Sequence, residues 1–107
     1  MKRGQLYRVR RPADDPKASR VFVVVGRQAV IRTRFSSIIC APIYSQRQGI
    51  ASEVHVGPRE GLTHDSTILC DALQLVPKRQ LTDFVGELSA VKTRELDRAL
   101  CVALGLD

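Results

Sequence analysis

Hydrophobic positions recur along this chain first in short strand-like stretches and then, near the C-terminus, at helical spacing. Residues 5–10 (QLYRVR) alternate, with Tyr7 and Val9 facing one way and Arg8 and Arg10 the other, which predicts a half-buried strand with a basic outer face. Residues 12–19, rich in turn formers and containing Pro12 and Pro16, predict an exposed loop. Arg20 then opens residues 21–25 (VFVVV), a run with no polar face that predicts a strand covered on both sides. Residues 26–37 show no sustained period and read as a long loop. Residues 38–45 return to apolar sequence, and Pro42, which has no N–H, predicts a bulge or a sheet edge at that point. After a turn over 46–51, residues 53–56 (EVHV) alternate, 67–70 and 73–76 predict two further strands, and 84–88 a last short one. Pro77 opens a single helical turn over 77–80.

From Ser89 onward the period changes. Leu96, Ala99, Leu100, Ala103 and Leu104 fall on one helical face, Lys92, Glu95 and Arg98 on the other, and Gly105 stands where a helix-terminating glycine belongs. Ser89 is the expected N-cap of a helix over 90–104. Six or seven short strands and one C-terminal helix predict a small, strongly curved antiparallel sheet or partly open barrel, mainly β in class.

Composition narrows the choice. At 107 residues, 44 % of them apolar, the chain suits a single domain over residues 1–107 and is too apolar for a disordered one. No run approaches the roughly 18 apolar residues of a membrane span, and no apolar stretch follows the basic N-terminus, so neither membrane association nor a secretory signal is expected. Cys40, Cys70 and Cys101 are odd in number and far apart, with no C-x-x-C pair; they read as reduced core residues of a cytoplasmic protein, with no metal site and no cofactor.

The charge is asymmetric. The net +6 divides into 12 basic and 4 acidic side chains in residues 1–60, against 5 and 7 in residues 61–107. Most of the basic residues of the first half are arginines, whose planar fork grips phosphate oxygens in pairs, so a polyanion, nucleic acid before membrane, is the expected partner. A merely solvated basic surface is the alternative.

Several blocks then fall in a recognisable order: Arg3-Gly4-Gln5-Leu6-Tyr7; Arg20 ahead of its valine run; Ala41-Pro42-Ile43 before a hydroxyl pair and Gln46; Gly61-Leu62-x-x-Asp65-Ser66-x-Ile68-Leu69; Leu81-Thr82-Asp83; and the closing stretch from Leu96-Asp97 to Leu104-Gly105-Leu106. In order and spacing they resemble the MazF/PemK family of toxin endoribonucleases over nearly the whole chain. The resemblance implies an SH3-like barrel, shared with CcdB-like toxins, that forms a homodimer. It also implies a metal-independent endoribonuclease that cuts single-stranded RNA to 2′,3′-cyclic phosphate and 5′-hydroxyl ends, held inactive by a cognate antitoxin with an acidic, disordered tail.

Of the family's two principal catalytic positions, an arginine opening the second strand maps onto Arg20. The other, a threonine or serine ending the third strand, falls on Tyr44, with Ser45 one residue later; Val21 stands where a proline usually follows the arginine. Arg20 suits the stabilisation of charge on a phosphorane-like transition state, and a hydroxyl of Tyr44 or Ser45 would be its partner. Strand alternation allows one of these two to face Arg20 unless the strand bulges. Arg10, Arg11, Lys17, Arg27, Arg32, Arg34 and Gln46 are the candidate RNA contacts. An acid–base pair of His55 and His64 is a further chemical option, while Asp65-Ser66 reads as turn and cap chemistry. Two rival functions stay open: a MazF-like binding module in which Tyr44 blocks the site, and a CcdB-like toxin acting on a protein target.

Overall fold

The computed structural model describes residues 1–10 and 19–106. Among them lie seven strands and two α-helices: β1 (Gln5–Val9), β2 (Arg20–Val24), α1 (Gln28–Ile31), β3 (Ser37–Tyr44), β4 (Glu53–Val56), β5 (Ser66–Leu69), β6 (Gln74–Pro77), β7 (Asp83–Glu87) and α2 (Ala90–Leu104). The pairings are antiparallel, in the order β4-β5-β3-β2-β1-β7, with β6 joined to β3 as well. The sheet bends into a half-barrel, and α2 packs on β4 and the 3-10 turn at Cys70–Ala72. This is the mainly β architecture with a C-terminal helix that the patterning predicts. The expected loop over 12–19 lies, but for Ser19, outside the described residues.

β2 explains the half-barrel. Its side chains alternate between two cores: Val21 and Val23 join Leu6, Ile43, Ile68 and Leu96 on the concave side, while Phe22 and Val24 join Tyr7, Val9, Ile38 and Val76 on the other. A run without a polar face is what such double coverage requires. α2 closes the first core with Leu96 and Ala99. Its ends are set locally, by the Ser89 Oγ accepting from the Lys92 N–H at 3.1 Å and by Gly105 at φ +69°.

Three features depart from the patterning. Pro42 marks neither an edge nor a bulge: it is buried, and its pairing with Phe22 continues in register through Val23↔Ala41 and Val24↔Cys40. On the other side of β3, β6 pairs Ser37 to Cys40 and β5 pairs Ile43 and Tyr44, so the imino acid falls where one partner strand hands over to the next. β5 and β6, only a turn apart in sequence, therefore do not pair with each other but with opposite ends of β3. Finally, the expected loop over 26–37 contains α1. Its four residues are too few to show a period; what holds them is Lys78, 48 positions from Val30, whose Nζ donates to the carbonyls of Val30, Ile31 and Thr33 at 2.7, 3.1 and 3.0 Å.

The approach between the turn at Pro58–Glu60 and β7 depends on two glycines. A Cβ on Gly61 would strike the Val85 carbonyl, and one on Gly86 the Glu60 carbonyl; Gly61 also sits at φ +96°. The contact fixes the start of the segment that leads into β5.

Leu96→Ala should cost about 2–5 kcal/mol in urea unfolding. Leu104→Ala, on the same helix but 57 % exposed, should stay within about 0.5 kcal/mol; equal losses would mean that α2 docks by another face. Burial pushes the Cys40 thiol up to about 12, and burial with the nearby Asp71 charge pushes Cys70 up to about 11. An unfolded thiol ionises near its ordinary 9.0, so above that pH the unfolded chain sheds protons that the native state keeps. The thiols' contribution to stability is thus whole below about pH 9 and disappears as pH rises toward 11–12. Cys40→Ala should make the alkaline decline of unfolding free energy shallower than in the parent chain, and an unaltered slope would count against a buried neutral thiol.

Candidate active site

Register builds the site. β2 and β3 pair Val24↔Cys40, Val23↔Ala41 and Phe22↔Pro42; two residues further along the hairpin, Arg20 comes opposite Tyr44. Tyr44 is in turn paired with Thr67 on its other side. The beginning of β2, the end of β3 and the segment entering β5 thus meet at one end of the sheet, where a cleft of about 430 Å³ opens.

Arg20 and Tyr44 are in direct contact. The guanidinium carbon lies 3.7 Å from the centre of the Tyr44 ring, and one guanidinium nitrogen donates to the Ile43 carbonyl at 3.3 Å. Stacking on the ring fixes the plane of the fork, and the carbonyl occupies one of its five N–H donors; among the described residues the others have no partner and can grip an anion. Ser45 and Gln46 line the same cleft. Tyr44 and Ser45 both reach it without a bulge, because β3 ends at Tyr44 and Ser45 is released from strand alternation.

The other wall holds residues that the sequence does not place beside Arg20, although it offers His64 as half of an acid–base pair. Arg8 of β1 enters the cleft, and so do Ser19, Thr63, His64 and Ser66. Arg8 was legible as a basic outward strand residue, and only the pairing Arg8↔Val21 brings it beside β2. Asp65-Ser66 reads as turn and cap chemistry, which in part it is: the Ser66 hydroxyl donates to the His64 carbonyl at 3.1 Å. Among the described residues lining the cleft there are two arginines, a histidine, five hydroxyls and an amide, and no carboxylate. Such a lining favours an anion and offers a metal cation no anionic ligand. Among the described residues, no three His, Cys, Asp or Glu side chains come together as a metal set anywhere.

The remaining candidates are dispersed. Arg10 is exposed and paired with Asp83 at 3.3 Å, just past the end of β1. Arg27, Arg32 and Arg34 are exposed on the connection from β2 to β3, at the end of that hairpin opposite Arg20. With about 3.3 Å of rise per strand residue, the length of β2 separates them from the cleft. Arg11 and Lys17 lie outside the described residues. His55 and His64 are not brought together: His55 lines a separate hollow, with its Nε2 3.8 Å from Asp65, whereas His64 is in the Arg20 cleft.

Residues 2–104 match the family described as PemK-like, MazF-like toxin of type II toxin-antitoxin system. The chain is 32 % identical over 85 residues to the endoribonuclease MazF3 of Mycobacterium tuberculosis, covering 79 % of this chain and 82 % of that protein. It is 28 % identical over 105 residues to the endoribonuclease MazF4 of the same organism, covering 97 % and 92 %. Among solved structures, an endoribonuclease in complex with its cognate antitoxin from a mycobacterial species superposes with a TM-score of 0.84 at 26 % identity, covering 100 % of this chain and 97 % of that one.

If the stack of Arg20 on Tyr44 is a real coupling, a double-mutant cycle with Arg20→Ala and Tyr44→Ala, read by urea unfolding, should give an interaction energy of about 0.5–2 kcal/mol. A value near zero would mean that the two side chains are merely adjacent.

Proposed function

We propose that this chain, which belongs to the PemK-like, MazF-like toxin family of type II toxin-antitoxin systems, is a toxin that cuts single-stranded RNA without a metal ion, through the cleft of Arg20 and Tyr44. In this reading the 2′-oxygen of one nucleotide attacks the adjoining phosphorus and expels the 5′-oxygen, leaving a 2′,3′-cyclic phosphate and a 5′-hydroxyl. The phosphorane-like transition state carries one more negative charge than the phosphodiester on its equatorial oxygens. Arg20, a permanent cation with a fork already aligned on the Tyr44 ring, meets that charge without reorganising. The Tyr44 phenol, or the Ser45 hydroxyl beside it, donates a further hydrogen bond to a phosphate oxygen, and Arg8 and Gln46 hold the flanking backbone. The observation that carries the reading is the Arg20 guanidinium stacked on Tyr44 in a cleft whose described lining has no carboxylate.

The expected partners follow. Beyond single-stranded RNA, an antitoxin with an acidic, disordered tail would find the same cationic cleft attractive. A second copy of the chain would cover the apolar pair Ile39 and Leu75, which are matched across β3 and β6 and exposed. No helix among the described residues is long and apolar enough to cross a membrane, and the cytoplasm, where the RNA is, is the proposed location.

A second reading has a specific observation behind it. The Tyr44 ring occupies one face of the guanidinium, and Ile43 takes one of its donors, so the same cleft would serve a module that binds RNA and leaves it whole. Incubation with a mixed-sequence single-stranded RNA in EDTA separates the two. The first reading expects fragments ending in cyclic phosphate, and a loss of about 10²–10³-fold in cleavage rate for Arg20→Ala. Undiminished cutting by that variant would reject the role of Arg20, and tight binding without any fragments would favour the second reading.

A further inference from the structure

Transesterification at the 2′-oxygen has a requirement that Arg20 and Tyr44 leave unmet. A proton must depart from O2′ as it attacks, and a guanidinium, which stays protonated in proteins, cannot accept it. The hydroxyls of the cleft are donors and weak acceptors, and its described lining has no carboxylate. Among the described residues of that lining, the side chain with a ring nitrogen able to accept a proton is a histidine, and it comes from the segment between the Gly61–Gly86 contact and β5.

Resting on the endoribonuclease reading above, we propose that His64 is the proton acceptor of the Arg20 cleft, its Nε2 receiving the 2′ proton while Thr63 holds its Nδ1. His64 lines the cleft together with Arg20, Tyr44 and Ser45. Its Nδ1 lies 3.0 Å from the Thr63 Oγ1. Since a hydroxyl oxygen accepts as well as donates, an Nδ1–H directed at Thr63 leaves Nε2 with its lone pair free, and Nε2 has no hydrogen-bond partner among the described residues. The segment is tied at both ends: Gly61 and Gly86 pass too closely for a Cβ at either, and the Ser66 hydroxyl donates back to the His64 carbonyl.

The step balances. The O2′–P bond forms and the P–O5′ bond breaks; the proton leaving O2′ goes to Nε2 and passes through water to the departing O5′, so His64 ends as it began. The other titratable side chains lining the cleft with His64 are Arg8 from β1, Arg20 from β2 and Tyr44 from β3. They are two cations and a phenol, none of which competes for the proton at neutral pH. Asp65, the next residue, is near His55 in the adjoining hollow, its Oδ1 3.8 Å from that ring's Nε2. The assignment uses His64 alone and does not involve a histidine pair.

The test is a pH–rate profile of kcat/KM on a short single-stranded RNA in EDTA, for the parent chain, His64→Ala and His64→Gln. The proposal expects a fall of about 10²–10⁴-fold in both variants. It also expects an acid-side limb in the parent that both variants lack, and partial recovery of His64→Ala by added imidazole. Affinity for an uncleavable RNA with a 2′-deoxy sugar at the cut site should stay within about twofold of the parent, which sets a proton-transfer role apart from a binding one. Cleavage that is abolished by Arg20→Ala but unchanged in rate and pH profile by His64→Ala would overturn this proposal and leave the endoribonuclease reading standing. A parent chain that leaves the RNA intact would overturn both.

Discussion

The antiparallel lock of β2 on β3 sets a cation in the cleft before any ligand arrives, because it places Arg20 across from Tyr44 and lets the ring set the plane of the guanidinium. The lock is hard to slip. β2 buries different side chains on its two faces, Phe22 and Val24 on one and Val21 and Val23 on the other, and a shift by one residue would exchange them. β3 resists the same shift, since it is held by β2 on one side and by both β6 and β5 on the other. The position of one arginine is thereby guaranteed by the packing of two cores.

The charge of the cleft is a matter of where the acids are engaged. Asp97 pairs with Arg3 at 2.8 Å and Asp83 with Arg10 at 3.3 Å. Glu53 accepts from the backbone of Gln48, Gly49 and Ile50, Glu60 accepts from the Gly57 N–H at 2.7 Å, and Asp71 accepts from the Ser52 hydroxyl. These carboxylates satisfy turns and surface cations elsewhere in the molecule. The result is a concave surface with arginine and hydroxyl donors and no competing anion among its described lining, which is what preorganised stabilisation of developing negative charge needs.

Much of the fold was legible because the decisive signals are local. The unbroken apolar run after Arg20 announced a strand with two buried faces, and Ser89 and Gly105 marked the ends of α2 to the residue. Where the signal depends on a distant partner, it fails. α1 is held by Lys78 from across the fold, Pro42 is tolerated because two other strands change places beside it, and neither fact is written near those residues. The site divides in the same way. Arg20, Tyr44, Ser45 and Gln46 could be read from their blocks, whereas Arg8, Thr63 and His64 gave no local sign of belonging with them.

The sequence by itself determined the strands and the C-terminal helix and the basic bias of the first half, since propensity, capping and alternation act over a few neighbouring residues, and the family resemblance of its blocks supplied the arginine and hydroxyl candidates. Only the tertiary structure decided which of those arginines share a cleft and which stand a strand's length away. It also decided that Tyr44 and Ser45 both reach the cleft and that His64 is in it while His55 is not. Those outcomes turn on strand register and on the backbone contact at Gly61 and Gly86, and each couples residues whose separation along the chain carries no trace of their meeting in space.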